Sequence, residues 1–191
     1  MLEGPHADIL AEAVAADGDA FRALFAGRVA DAHAGLEAAA ALYRASWEAA
    51  PPRSFGRLVA MLKSATLAGE PEDAADYARQ QLGGACDSPT SCYALAVAAL
   101  IEDDDETAAR AAAGMTEGGD AFARTAEAIA ALAARDRGRY ARAVAAIVAD
   151  FETRELHLTG VAVADTAMLM EALAELRGLA VHPVSELIPD A

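Results

Sequence analysis

An all-α fold is what this sequence predicts, and three observations predict it. Alanine makes up much of a 55% hydrophobic fraction, β-branched runs are scarce, and no segment alternates strictly between apolar and polar residues. Alanine favours helix because it gives up no side-chain rotamer freedom. It also adds little buried area, so alanine-rich helices must pack with their backbones close together. A length of 191 residues suits one well-buried domain and is short for two. We read 1–191 as a single helical domain, with amino-terminal helices over 1–50, three helical hairpins over 54–157, and a terminal helix and extended tail over 158–191.

The hairpins announce themselves by recurrence. Leu67 to Leu82 reads as a helix end, a tight acidic turn and a second helix with small residues on one face. The pattern returns at Leu100 to Met115 and at Leu132 to Ile147, in steps of about 33 residues, close to the length of a tetratricopeptide hairpin. Antiparallel helical hairpins stacked as a short TPR-like solenoid, or as a compact helical array, are the expected architecture.

Taken in order, His6 to Ala16 reads as a first helix ended by Asp17-Gly18-Asp19. Phe21, Leu24, Phe25 and Val29 then share a helical face, and helix formers run on to Trp47, with Gly27 and Gly35 as weak points. One helix or two are both compatible with residues 19–49. Pro51-Pro52 stops the run. Ser54 is placed to cap the next helix, whose Leu58, Met61, Leu62 and Ala65 form a buried stripe ending at Gly69. Pro71 suits the first turn of the partner helix, with Ala74, Ala78 and Leu82 on its inner face. The second hairpin, Ser91 to Ile101 and Asp105 to Met115, is joined by the acidic run Glu102 to Glu106, read as a solvated turn because the EF-hand spacing is missing.

The third hairpin spans Ala121 to Arg135 and Gly138 to about His157. Arg124 and Glu127, one turn apart, read as an exposed pair. The last helix runs from about Ala164 to Arg177, with Asp165 capping its amino end and Gly178 ending it. The tail beyond carries Val181, Val184, Leu187 and Ile188 and is expected to lie extended across the last helices.

Thirty acidic and 15 basic residues give a net charge of −15, and Lys63 is the only lysine. That sign repels nucleic-acid phosphates, so no nucleic-acid partner is expected. Two explanations of the acidity stand: solvation in a high-salt cytoplasm, and a surface that imitates nucleic acid or steers a basic protein partner. No apolar run has membrane-spanning length, and the first residues lack a signal-peptide pattern, so no membrane partner and a cytoplasmic location are expected. Cys86 and Cys92, six residues apart with no histidine nearby, are poor zinc ligands. In a reducing compartment they are expected as buried thiols rather than a disulfide.

No motif carries chemistry. The four histidines, His6, His33, His157 and His182, fall in no metal-ligand spacing, and no serine is flanked by a nucleophile motif. Glu152, Glu155 and His157 are near in sequence. On a continuing helix, however, Glu152 and His157 project about 140° apart and are not expected to share one site. No catalytic residue, cofactor or metal is expected.

The carboxyl-terminal order of features is more specific than a helical repeat requires. Phe151-Glu152-Thr153-Arg154-Glu155-Leu156-His157 is followed by the alanine-rich segment from Val163 and Asp165 to Ala174, then Arg177-Gly178-Leu179-Ala180-Val181, Ser185 and Leu187-Ile188-Pro189. This resembles the carboxyl-terminal part of the Imm49 family, helical immunity proteins of bacterial polymorphic-toxin systems. Leu158-Thr159-Gly160 stand where that family has aromatic residues after the histidine. The resemblance implies a protein-interaction module that binds and occludes a toxin, with Glu152, Arg154, His157 and Asp165 as the partner-binding candidates. A structural or adaptor homo-oligomer and a helical enzyme with no recognised motif are the alternatives. Tyr43 and Trp47, four residues apart, are expected to pack in the chain's own core, and otherwise would anchor a partner. The sequence leaves the oligomeric state open.

Overall fold

The computed structural model describes residues 4–189. Among them the chain forms nine α-helices and no strand: α1 (Pro5–Phe25), α2 (Val29–Ala49), α3 (Gly56–Ala68), α4 (Glu72–Leu82), α5 (Pro89–Ile101), α6 (Asp105–Met115), α7 (Asp120–Ala133), α8 (Arg137–Glu152) and α9 (Asp165–Leu176). Each helix packs on its neighbours in the chain, which makes an all-α helical array.

Small side chains set how closely these helices approach. α1 and α2 form the most extensive pair, and a Cβ built on Gly35 would lie 3.0 Å from that of Ala20. The break between them falls at Gly27, whose φ of 70° is left-handed, whereas the helix passes through Gly35. The first helix is longer than its sequence suggests. Asp17-Gly18-Asp19 does not stop it, because Asp17 and Gly18 are buried in its interior and the carboxylate finds partners there.

α5 sits at the centre. Every residue from Ala94 to Leu100 is buried, and α3, α4, α6, α7 and α9 all contact it. A helix with no polar face has to be enclosed in this way. The Ser88 side chain accepts from the Ser91 amide and the Ser91 hydroxyl accepts from the Ser88 amide, so both ends of a capping box are made. Just upstream, Cys86 and Cys92 are joined in a disulfide across a Cα separation of 4.5 Å. The expectation of two thiols fails here, since it rested on compartment alone, whereas the Gly83-Gly84 turn folds Cys86 back over the first turn of α5. Gly114 of α6 faces both sulfurs, and a Cβ there would approach them to 2.7 and 2.9 Å.

α9 lies across α3, α5, α7 and α8. The groove that a stack of hairpins would leave open on the α3, α5 and α7 side is therefore covered by the chain's own last helix, through Leu169, Met170 and Leu173. Gly178, at φ 68°, ends α9, and the tail runs back over it. Leu179, Val181, Leu187 and Ile188 pack on the core, while Val184 is 98% exposed. Glu171 captures the Val181 and His182 amides, and Ala164 donates to the Leu187 carbonyl at 2.8 Å.

Four local expectations are corrected. Ser54 donates to the Pro51 carbonyl rather than capping α3, which starts with no side-chain cap. Arg124 and Glu127 do not pair with each other: both reach α8, Arg124 to Asp150 and Glu127 to Arg139. The acidic run between α5 and α6 is no free solvated turn. Arg79 bonds Glu102 and Asp104, Arg135 bonds Asp103 and Asp105, and the Arg177 side chain, 2% exposed, reaches Asp103, Asp105 and the Leu100 carbonyl. Finally, α8 ends at Glu152, so Arg154 to Ala164 is a loop.

Candidate functional site

The four residues singled out from sequence do not form one patch. Glu152 accepts from Ser185 at 2.7 Å and ties the tail to the end of α8. Arg154 folds back, donating to Asp150 and lying 3.7 Å over the Phe151 ring. His157 rests beside the same ring, 6.3 Å between centroids. Asp165 points elsewhere: it is paired with Lys63 and makes no cap, so the capping role expected for it is overturned. Between these anchors the loop holds two leucines outward, Leu156 at 88% and Leu158 at 77% exposure.

Beneath the loop lies a polar cluster that sequence reasoning missed. α1 supplies Asp17, α2 Tyr43, α3 Lys63 and Ser64, and α9 Asp165. The Tyr43 hydroxyl donates to Asp17 Oδ2 and the Ser64 hydroxyl to Asp17 Oδ1, both at 2.8 Å. Burial raises the Asp17 pKa, although Lys63 and the two hydroxyls pull it down. Burial pushes Lys63 down, but Asp165 and then Asp17 outweigh it and its pKa ends raised. The cluster ties four helices together, and the signal for it was present. Once α1 is read as continuous, Asp17 falls on the same stripe as Ala13 and Phe21, where a charge is out of place unless partnered.

A cavity of about 510 Å³ opens beside this cluster. Leu10, Val14, Phe55, Ala60 and Leu158 make its apolar wall, and the Tyr43 ring lies between it and Asp17. Its polar side comes from the Pro51–Arg57 turn and the start of α5: Arg53, Ser54, Arg57, Ser88 and Thr90. Arg53 adopts a left-handed φ of 72° and bonds Asp87 at 2.8 Å. Arg57 is 8% exposed and donates Nε–H to the Ser46 hydroxyl at 2.8 Å. Among the described residues it has no carboxylate within ion-pair distance, and its Nη2 is buried without a hydrogen-bond partner.

Among the described residues no group of three or more His, Cys, Asp or Glu side chains comes together as a metal site, and no helix is long and apolar enough to cross a membrane. Comparison with protein-family models, curated proteins and solved structures finds no match for this chain.

Proposed function

We propose that the chain is a protein-interaction module whose contact surface is the Arg154–Ala164 loop, and that its partner is a basic protein. The observation that carries this is the outward placement of Leu156 and Leu158 on a loop whose flanks are fastened by Arg154 and His157 against Phe151. Large apolar side chains held in water on a fixed loop suit a partner that buries them. With α9 across the inner faces of α3, α5 and α7, a mode in which a partner peptide fills that groove has no support, so contact falls to the rim.

Charge specifies the partner. Most of the 15 cationic side chains are already engaged in ion pairs with carboxylates, so the surplus of acids sets the outward field. That field attracts a basic protein and speeds its encounter. The resemblance to immunity proteins supplies one version, in which the partner is a toxin and binding occludes it. A basic toxin-like protein encoded beside this chain is the partner to test. The expected result is a stable complex whose association rate falls as salt rises, weakened roughly tenfold by Leu156→Ser with Leu158→Ser. Salt-independent association removes the steering, and full affinity in the double variant removes this surface.

A further inference from the structure

Arg57 contradicts the electrostatics of the rest of the molecule. In a chain carrying −15 net charge, this almost buried guanidinium has no carboxylate partner among the described residues. It also sits in the first turn of α3, a 13-residue helix that starts with no acidic residue and no capping side chain. A cation there meets the positive end of the helix dipole, where an anion is favoured. Burying an unpaired charge costs several kcal/mol, and the usual remedy is a counter-ion. Nothing in the described chain supplies one, and burial alone depresses the Arg57 pKa with no carboxylate raising it. Among the described residues, Arg57 lines the cavity, and the cavity is where an anion from outside can reach it.

We propose that this cavity binds a small monoanionic carboxylate with an apolar body, the carboxylate against Arg57 and the start of α3, the body along Leu10, Val14, Phe55, Ala60 and Leu158. A single negative charge fits because Arg53, the other cation at the mouth, is already neutralised by Asp87. A carboxylate matches a planar guanidinium that has spent only Nε. Thr90 adds a hydroxyl at the wall, and the start of α3 adds backbone amides. The volume is within the range of small-molecule sites, and the mostly apolar lining with a few convergent polar groups is their usual make-up. This site stands independently of the protein-binding loop, although Leu158 belongs to both.

The test compares decanoate with decanol on the intact protein, by calorimetric titration and by thermal unfolding. Decanoate is expected to bind and to raise the melting temperature, with decanol roughly tenfold weaker or more for want of the charged group. Arg57→Met is expected to weaken decanoate by a similar factor while leaving decanol unchanged. Should that variant fail to fold, Ala60→Trp, which fills the cavity from its wall, is expected to abolish binding of both. Equal affinity for acid and alcohol, undiminished decanoate binding in Arg57→Met, or no binding of decanoate at about 1 mM each overturns the proposal.

Discussion

Lys63 and Arg57 lie six residues apart on α3, both almost enclosed, and meet opposite circumstances. Lys63 is met by Asp165 from α9 and lies close enough to Asp17 of α1 to shift its titration. Arg57 is met by one serine hydroxyl. Taking an ion out of water costs several kcal/mol, which only a well-placed counter-charge and full hydrogen bonding recover. Where the chain provides that recovery, a buried charge fastens elements to one another. Where it does not, the same charge is open to something from outside.

Four experiments test this contrast. Lys63→Met should have the largest effect, about 3 kcal/mol of lost stability in urea unfolding, because Asp165 is left enclosed without its cation. A loss under about 1 kcal/mol would mean that the cluster does not tie the helices. Tyr43→Phe should cost about 2 kcal/mol, since it removes a donor from the buried Asp17 carboxylate and changes little else.

Alkaline pH gives the next effect. The folded Lys63 has its pKa raised above 10.5, so the native state holds its proton longer than the unfolded one. Its contribution is complete below pH 10.5 and is lost as pH rises through the higher native value. The buried tyrosines Tyr43 and Tyr140, and the partly buried Tyr93, are raised as well and act in the same direction. Lys63→Met should therefore flatten the fall in stability just above that pH by up to about 1.4 kcal/mol per unit without abolishing it. An unchanged slope refutes the assignment.

Arg57→Met should have the smallest effect and the opposite sign. It removes an uncompensated charge and should raise the stability of the ligand-free protein by about 1 kcal/mol. Destabilisation as large as that of Lys63→Met would place Arg57 in the same structural class as Lys63, and the contrast would collapse.

How much of this was legible follows from what sequence signals report. Some helix ends were clear because they carry a residue with one conformational use, as Gly69 does in ending α3 in left-handed geometry, whereas α5 begins at Pro89 under a Ser88 cap rather than at Ser91 as expected. The all-α class followed from alanine. The site was much less legible. Asp17-Gly18-Asp19 has turn chemistry by composition, and only the hydroxyls of Tyr43 and Ser64, 26 and 47 residues away, make it helix interior. Asp165 stood where a cap belongs, so a local role hid a partner on α3. Arg57 stood outside the expected stripe of Leu58, Met61, Leu62 and Ala65, and its burial without a carboxylate among the described residues is a property of three dimensions. Glu152 and Arg154 spend their charges within the chain and His157 rests against Phe151, which their spacing in sequence could not report.

The separation between Lys63 and its counter-ion has a consequence for how the molecule is made. Asp165 is synthesised 102 residues after the lysine it neutralises. As the chain emerges from its amino end, α1 to α8 leave the ribosome with Lys63 lacking its ion-pair partner Asp165 and only Asp17 nearby. Chains stalled or cut before α9 would thus display both an under-compensated cation and the apolar sides of α3, α5 and α7. Such unfinished products are what holding chaperones and proteases select for removal.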